Sequence, residues 1–193
     1  MVMDPSTTTR KRNAEATRQA LIEAARELFG ERGYESVGLR EIAAKAGVNI
    51  ALINRYFGSK KGLFEAAIPP TLTPDLLASC PSHQIATLAA QIMVGKSYGP
   101  DVYDRTLALV RSAGAEDARD SLRQSMDARV IAKIAENMNG PDREIRAALV
   151  VSSLLGYDML ARILGSEAIT KADPAILRSL LEAQLKTLTE PDS

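Results

Sequence analysis

The sequence predicts an all-α fold in two parts, a small N-terminal helix-turn-helix head of three helices and a larger helical domain behind it. Three observations carry this. Apolar residues recur at three- and four-residue steps through nearly every segment, which is the period of a helix face. Glycine, proline and strand-forming residues are sparse outside the joints, and Trp is absent. The pattern breaks at Pro69 and Pro70, and TLTPDLLASCPSH after them carries two more prolines. The expected divisions are a disordered basic arm over 1–13, the head over 14–68 and the second domain over 69–193. A chain of 193 residues is long enough for one sizeable core or two modest ones.

The arm is polar and ends in Arg10, Lys11 and Arg12. It reads either as a solvated tail or as a basic arm that reaches phosphates beside a main site. From Ala14 to about Arg32, Leu21, Ala24, Ala25, Leu28 and Phe29 form the inner stripe of an amphipathic helix. Gly33 ends it, and Tyr34 is expected to fold back over the stripe.

Leu39 to Lys60, LREIAAKAGVNIALINRYFGSK, is the stretch that the rest serves. Leu39, Ile42, Ala43 and Ala46 give a short helix one apolar stripe, with Ser36 or Gly38 as its N-cap. Gly47 stops that helix in the left-handed conformation that glycine adopts freely, and Val48 turns back as a hydrophobic plug. Asn49 is placed to cap a second helix, roughly Ile50 to Phe57, with Ile53 and Phe57 inward and Leu52, Asn54, Arg55 and Tyr56 outward. Two short helices joined by a tight glycine-containing turn make a helix-turn-helix, whose second helix lies in the DNA major groove. By side-chain chemistry, Asn54 suits adenine and Arg55 suits a bidentate pair with guanine. Gly58 closes this helix and Ser59 caps the next, which opens on Lys60 and Lys61. Two lysines at a helix N-terminus oppose its dipole, an arrangement easier to understand with a phosphate beside them than as a plain solvated turn.

Behind the joint, helices are expected over Ile85 to Val94, Val102 to Ser112 and Glu116 to Met138, the last with Leu122, Met126, Val130 and Ile134 spaced by four. Asn139, Gly140 and Pro141 make a sharp stop. Ile145 to Leu164 crowds Leu149, Met159, Leu160 and Ile163 on one side, with Ser152, Ser153 and Gly156 between them to permit close approach. Asp173 and Pro174 start a last helix whose stripe is wide and strongly apolar. The helices 145–164 and 174–188 can pair within one chain or against their twins as a four-helix bundle. Met93, Tyr98, Tyr103, Leu107, Met126, Val130 and Met159 are candidates to line a small-molecule pocket, with Met138 and Tyr157 near them. Residues of these types at helical spacing also serve as plain core.

Charge divides along the chain. Up to Ile68 there are eleven Lys and Arg against eight Asp and Glu; from Pro69 onward there are thirteen against sixteen. A basic front and an acidic back suit a protein that meets phosphates at one end. The single cysteine, Cys80, excludes an intramolecular disulfide and a thiolate zinc cluster. His83, the only histidine, lies in the proline-rich joint without a catalytic spacing around it. No phosphate loop, carboxylate pair or metal spacing is present, so neither an enzyme nor a cofactor is expected. With no apolar N-terminal core and no apolar run near 18 residues, a cytoplasmic protein is expected.

LIEAARELF, the pair Gly33 and Tyr34, REIAAKAGV and RYFGSKKGLFEAA stand in an order and spacing that closely resemble the DNA-binding domain of TetR-family transcriptional regulators. The resemblance covers Arg18 to Ala67; the remainder is similar to the family's ligand and dimerisation domain in a looser way. It implies a homodimer on a palindromic operator, usually a repressor released by a small, here apolar, molecule. Arg40 matches a position that meets a base or phosphate, Lys60 a lysine that commonly meets the backbone, and Leu52, Asn54, Arg55 and Tyr56 the exposed recognition face; Asn49 and Ile50, where the second helix starts, are expected to contact DNA with them. The chain departs from the pattern at Asn54, where Tyr is frequent, and at Val37 and Gly38, where Thr or Ser is frequent. The rival class is a helical small-molecule binder or enzyme with an unused head.

Overall fold

The computed structural model describes residues 5–68, 76–77, 79–95 and 105–190, and those segments form helices and the turns between them. In chain order they are α1 (Pro5–Arg32), α2 (Leu39–Lys45), α3 (Ala51–Phe57), α4 (Lys60–Ala67), α5 (Ser82–Gly95), α6 (Arg105–Ser112) and α7 (Glu116–Met126). After α7 come a π-helical turn (Asp127–Ile131), α8 (Ala132–Glu136), α9 (Arg143–Asp158), a second π-helical turn (Met159–Ile163), α10 (Glu167–Thr170) and α11 (Pro174–Thr189). Packing divides them into two compact units, one of residues 1–69 with 103–122, the other of 70–102 with 123–193.

The first unit is built on α1. Leu21, Ala24, Ala25, Leu28 and Phe29 are buried, and Tyr34 folds back to stack on Phe29 at 5.7 Å. Phe64 from α4 meets both rings edge-on, at 5.3 and 5.1 Å. Such aromatic pairs add about 0.5–1.5 kcal/mol each beyond their burial. Residues 5–13 were expected as an unstructured arm; they continue α1 instead. Pro5 stands at the first helical position, where its missing N–H costs nothing, and extending an already packed helix adds one hydrogen bond per residue.

The sequence division at 68/69 and the packing differ over residues 103–122. Ala108 of α6 and Ala115 and Ala118 of α7 are buried in the same core as α1 and α4. Arg111 donates a 2.7 Å hydrogen bond to the Gly30 carbonyl near the end of α1. Helix spacing reveals that α6 has an apolar face but not which neighbour covers it.

The second unit packs α5 against α11 and α9, with Ile85, Ala86, Ala90, Ile134, Ala147, Val150, Leu154 and Leu185 among its buried residues. The predicted helix from Glu116 to Met138 carries a π-helical turn in its middle. At 3.6 residues per turn, a four-residue repeat drifts by about 40° per step around an α-helix. The wider turn takes up that drift, and Val130 and Ile134 are both fully buried. Arg146 is buried at the start of α9. Its guanidinium donates to the carbonyls of Pro141 at 2.9 Å and Leu188 at 3.0 Å, and to that of Asn139.

Candidate nucleic-acid interface

The turn between α2 and α3 forms as the residues require. Gly47 takes φ +67°, and the Val48 amide bonds back to the Ala43 carbonyl at 3.0 Å, which closes α2. Asn49 Oδ1 accepts the Ala51 amide at 2.8 Å, capping α3. Before α2, Gly38 is extended and offers no side-chain cap, so Ser36 does not cap that helix. Val37 is buried in the head's core, which accounts for an apolar residue where the resembled pattern has a hydroxyl.

On α3 the two faces separate. Ile53 is completely buried, and Phe57 packs partly into the core with the Arg18 guanidinium 5.5 Å from its ring centre. Asn49, Ile50, Asn54 and Arg55 are exposed, as is Arg40 at the start of α2. Leu52 and Tyr56 do not belong wholly to the outer face. Both are half-buried and pack against the same core, because a two-turn helix on a small domain cannot keep a side chain of that size clear of its support. Tyr56 also meets Phe57 at 6.3 Å.

Neighbouring charges tie the head together. Lys45 bonds to Glu27 at 2.6 Å and Arg32 to Glu41 at 2.5 Å, joining α2 to α1. The Arg32 hydrogen bond holds the Glu41 carboxyl below its usual range. The turn from α3 into α4 is tight. Ser59 Oγ accepts the Gly62 amide at 3.0 Å, and a Cβ on Gly62 would overlap the Phe57 carbonyl oxygen.

Lys60 does not stand with the exposed cations. It is half-buried, with its ammonium 4.4 Å from the centre of the Tyr34 ring. Burial pushes its pKa down, and the charges of Glu35 and Asp117 oppose that shift. Asp117 stands 57 positions from Lys60, and no local pattern in the sequence signals the influence of its charge there.

The residues considered for a small-molecule pocket are scattered. Met93 and Val130 are buried in the second unit's core and Met126 packs against it. Met159 is exposed, and Leu107 lies half-buried on α6 in the first unit. Tyr98 and Tyr103 fall outside the described residues. A groove of about 350 Å³ runs along α11, lined by Ala175, Arg178, Ser179, Glu182, Ala183 and Lys186, and involves none of these candidates. Among the described residues, no group of His, Cys, Asp and Glu could hold a metal ion and no helix is long and apolar enough to cross a membrane.

The outer faces of α9 and α11 are apolar and open. Ile145 and Leu149 on α9, Leu160 on the π-helical turn that follows it, and Ile176 and Leu180 on α11 are between 47% and 65% exposed. Gly156, between them, has nothing within 4 Å of where a Cβ would lie.

Residues 21–67 match the family model described as "Bacterial regulatory proteins, tetR family", and residues 82–188 match a "Tetracyclin repressor-like, C-terminal domain". The chain is 26% identical over 186 residues to the HTH-type transcriptional regulator BetI of Agrobacterium fabrum, covering 90% of each. It is 41% identical over 93 residues to the HTH-type transcriptional regulatory protein RaaS of Mycobacterium tuberculosis; that match covers 46% of this chain and only 43% of the relative. Two solved structures share the fold. A TetR-family regulator from Streptomyces coelicolor superposes with a TM-score of 0.63 at 21% identity, over 91% of this chain and 95% of that one. E. coli NemR in its reduced form does so with 0.65 at 18%, over 92% and 100%.

Proposed function

Because the chain belongs to the tetR family of bacterial regulatory proteins and is a transcriptional regulator with a DNA-binding helix-turn-helix, we propose that it works as a homodimeric repressor, bound to a two-fold operator and released by a small molecule. The observation that carries this reading is the division of α3, with Ile53 sealed into the head and Ile50, Asn54 and Arg55 left uncovered, as is Arg40 at the start of α2. In this reading Asn49 and Arg40 meet the DNA backbone. Ile50 offers an apolar contact, Asn54 and Arg55 read base edges, and Leu52 and Tyr56 support them from the core side.

The uncovered apolar faces of α9 and α11 favour a dimer. Exposed clusters of Leu and Ile are costly in water, and a two-fold copy would cover them as a four-helix bundle. Two heads then meet half-sites at a spacing set by that axis. Release by an effector is supported by the likeness of residues 82–188 to the tetracyclin repressor-like domain. It requires that the effector bind more tightly to the state whose heads do not fit the operator; equal affinity for both states shifts nothing.

Selection from a random DNA pool tests the reading directly. An enriched sequence with two-fold symmetry, bound by a dimer in sedimentation, is the expected result. Enrichment of nothing, or a monomer at micromolar concentration, overturns it.

A further inference from the structure

Two guanidiniums and two rings form a chain along the end of α3. The Arg55 guanidinium lies 6.0 Å from the centre of the Tyr56 ring, Tyr56 meets Phe57 edge-on at 6.3 Å, and Phe57 carries the Arg18 guanidinium at 5.5 Å. Arg18 belongs to α1, 39 positions before Phe57 and outside the helix-turn-helix. Glu15 stands 3.8 Å from it with both side chains open to water, 41% and 71% exposed, a pairing that contributes little. Arginine stacks on aromatic faces and is attracted by their electrons, so the ring, more than the carboxylate, orders this side chain.

Phe57 is held in two ways. Its carbonyl oxygen lies so near Gly62 that a Cβ there would overlap it, and Ser59 caps the Gly62 amide, so the turn into α4 fixes the main chain. Arg18 covers the ring and ties it to α1. The remaining links are local: Tyr56, half-buried, keeps its ring against both Phe57 and Arg55. Arg55 is exposed, and a long, free side chain loses rotamer freedom when it docks on a base, which weakens the docking. A ring already beside the guanidinium removes part of that freedom before DNA arrives.

We propose that Arg18 is a positioning residue for base recognition: through the rings of Phe57 and Tyr56 it holds Arg55 in the posture that reads its base pair, with no contact of its own to DNA. This deepens the regulator reading and rests on it. It brings α1, the support helix, into the specificity of the head. Without the Arg18 charge the Phe57 ring loses its cover, the Tyr56 ring loses a fixed neighbour, and Arg55 loses part of its order. Preference then falls at one base pair while attraction to phosphate is retained.

The test compares full-length wild type, Arg18→Met and Arg18→Lys on the duplex that wild type enriches from a random pool, on its single-base variants, and on a scrambled duplex across a range of salt. Arg55→Ala first identifies the base pair that Arg55 reads. Arg18→Met is expected to lose about two- to fivefold in preference at that base pair and less at the others, the effect of one half-exposed cation–π contact, and Arg18→Lys to regain part of it. A loss of stability alone lowers binding to every duplex alike, so unchanged preference ratios overturn the proposal. A slope of log affinity against log salt shallower by about 0.9 in Arg18→Met reveals a released counterion, hence a phosphate contact, and overturns it as well. In a Phe57→Leu background Arg18→Met should change the ratio no further; a full repeat of the loss shows that Arg18 does not act through the ring. If Arg18→Met does not fold, Arg18→Gln, which also removes the charge, carries the same comparison. Enrichment of no sequence by wild type is the failure of the regulator reading itself, whereas enrichment with wild-type ratios in the Arg18 variants is the failure of this proposal alone.

Discussion

Gly33 lies so close to the Arg111 backbone that no side chain fits there: a Cβ on Gly33 would stand 2.6 Å from the Arg111 carbonyl oxygen. Gly33 also has φ +76°, and nearby the Arg111 side chain donates to Gly30. The end of α1 and the end of α6 therefore meet through backbone. Gly33→Ala should cost about 2 kcal/mol or more, from left-handed strain plus the overlap. Gly47→Ala, at φ +67° with open space around it, should cost only the strain, about 1 kcal/mol. Urea unfolding of the two variants decides this; equal losses would contradict the close approach.

Gly62 offers a sharper contrast with ordinary helix behaviour. Gly→Ala inside an exposed helix normally stabilises by about 1 kcal/mol. Here the added methyl would overlap the Phe57 carbonyl, so Gly62→Ala should destabilise, by about 1–3 kcal/mol, and weaken DNA binding by moving α3. A variant with a raised Tm would show that the turn has slack.

Asn54 and Arg55 are where the reading of bases is expected. Arg55→Ala should cost about 1–3 kcal/mol of discrimination at one base-pair position of the selected site, and Asn54→Ala should do so at another. Binding of each variant to a panel of single-base changes measures this. A uniform loss across the whole panel would make them backbone contacts.

Arg146 satisfies three carbonyls, those of Asn139 and Pro141 in the turn before α9 and that of Leu188 near the end of α11. Arg146→Met keeps much of the volume and leaves all three without that donor, at a cost of about 3 kcal/mol. Arg146→Lys should recover only part of it, because a single ammonium cannot reproduce the planar fork. Denaturant midpoints of the three proteins provide the check.

Burial first, then the charges of Asp117, Glu35 and Glu65, push the Tyr34 hydroxyl above its ordinary 10.0. The folded state thus holds this proton more tightly than the unfolded one. Its contribution to stability is complete below pH 10.0 and is lost as pH rises through the folded value. Lys60 has the opposite sign, since its depressed pKa makes the folded state release a proton first. Tyr34→Phe should therefore flatten the alkaline fall in Tm relative to wild type. An unchanged slope would place the hydroxyl in water.

Much of the head was legible in the sequence because its determinants are local. Gly47, Val48 and Asn49 specify the turn with their own backbone and side-chain chemistry, and the three- and four-residue spacing of Leu21, Ala25, Leu28 and Ile53 marks the faces that bury. The outward set was less legible. Period alone cannot say how far a small support reaches round a two-turn helix, and Leu52 and Tyr56 prove half-covered.

What the sequence determined by itself is the helical class of most elements and the position of the helix-turn-helix, since helix periodicity, caps and glycine stops act within a few residues. The tertiary structure alone decided the rest. It assigned α6 and the start of α7 to the head, seated Lys60 on Tyr34, and left the apolar faces of α9 and α11 open. Those outcomes depend on contacts between residues dozens of positions apart, whose geometry is set by packing and leaves no trace in local spacing.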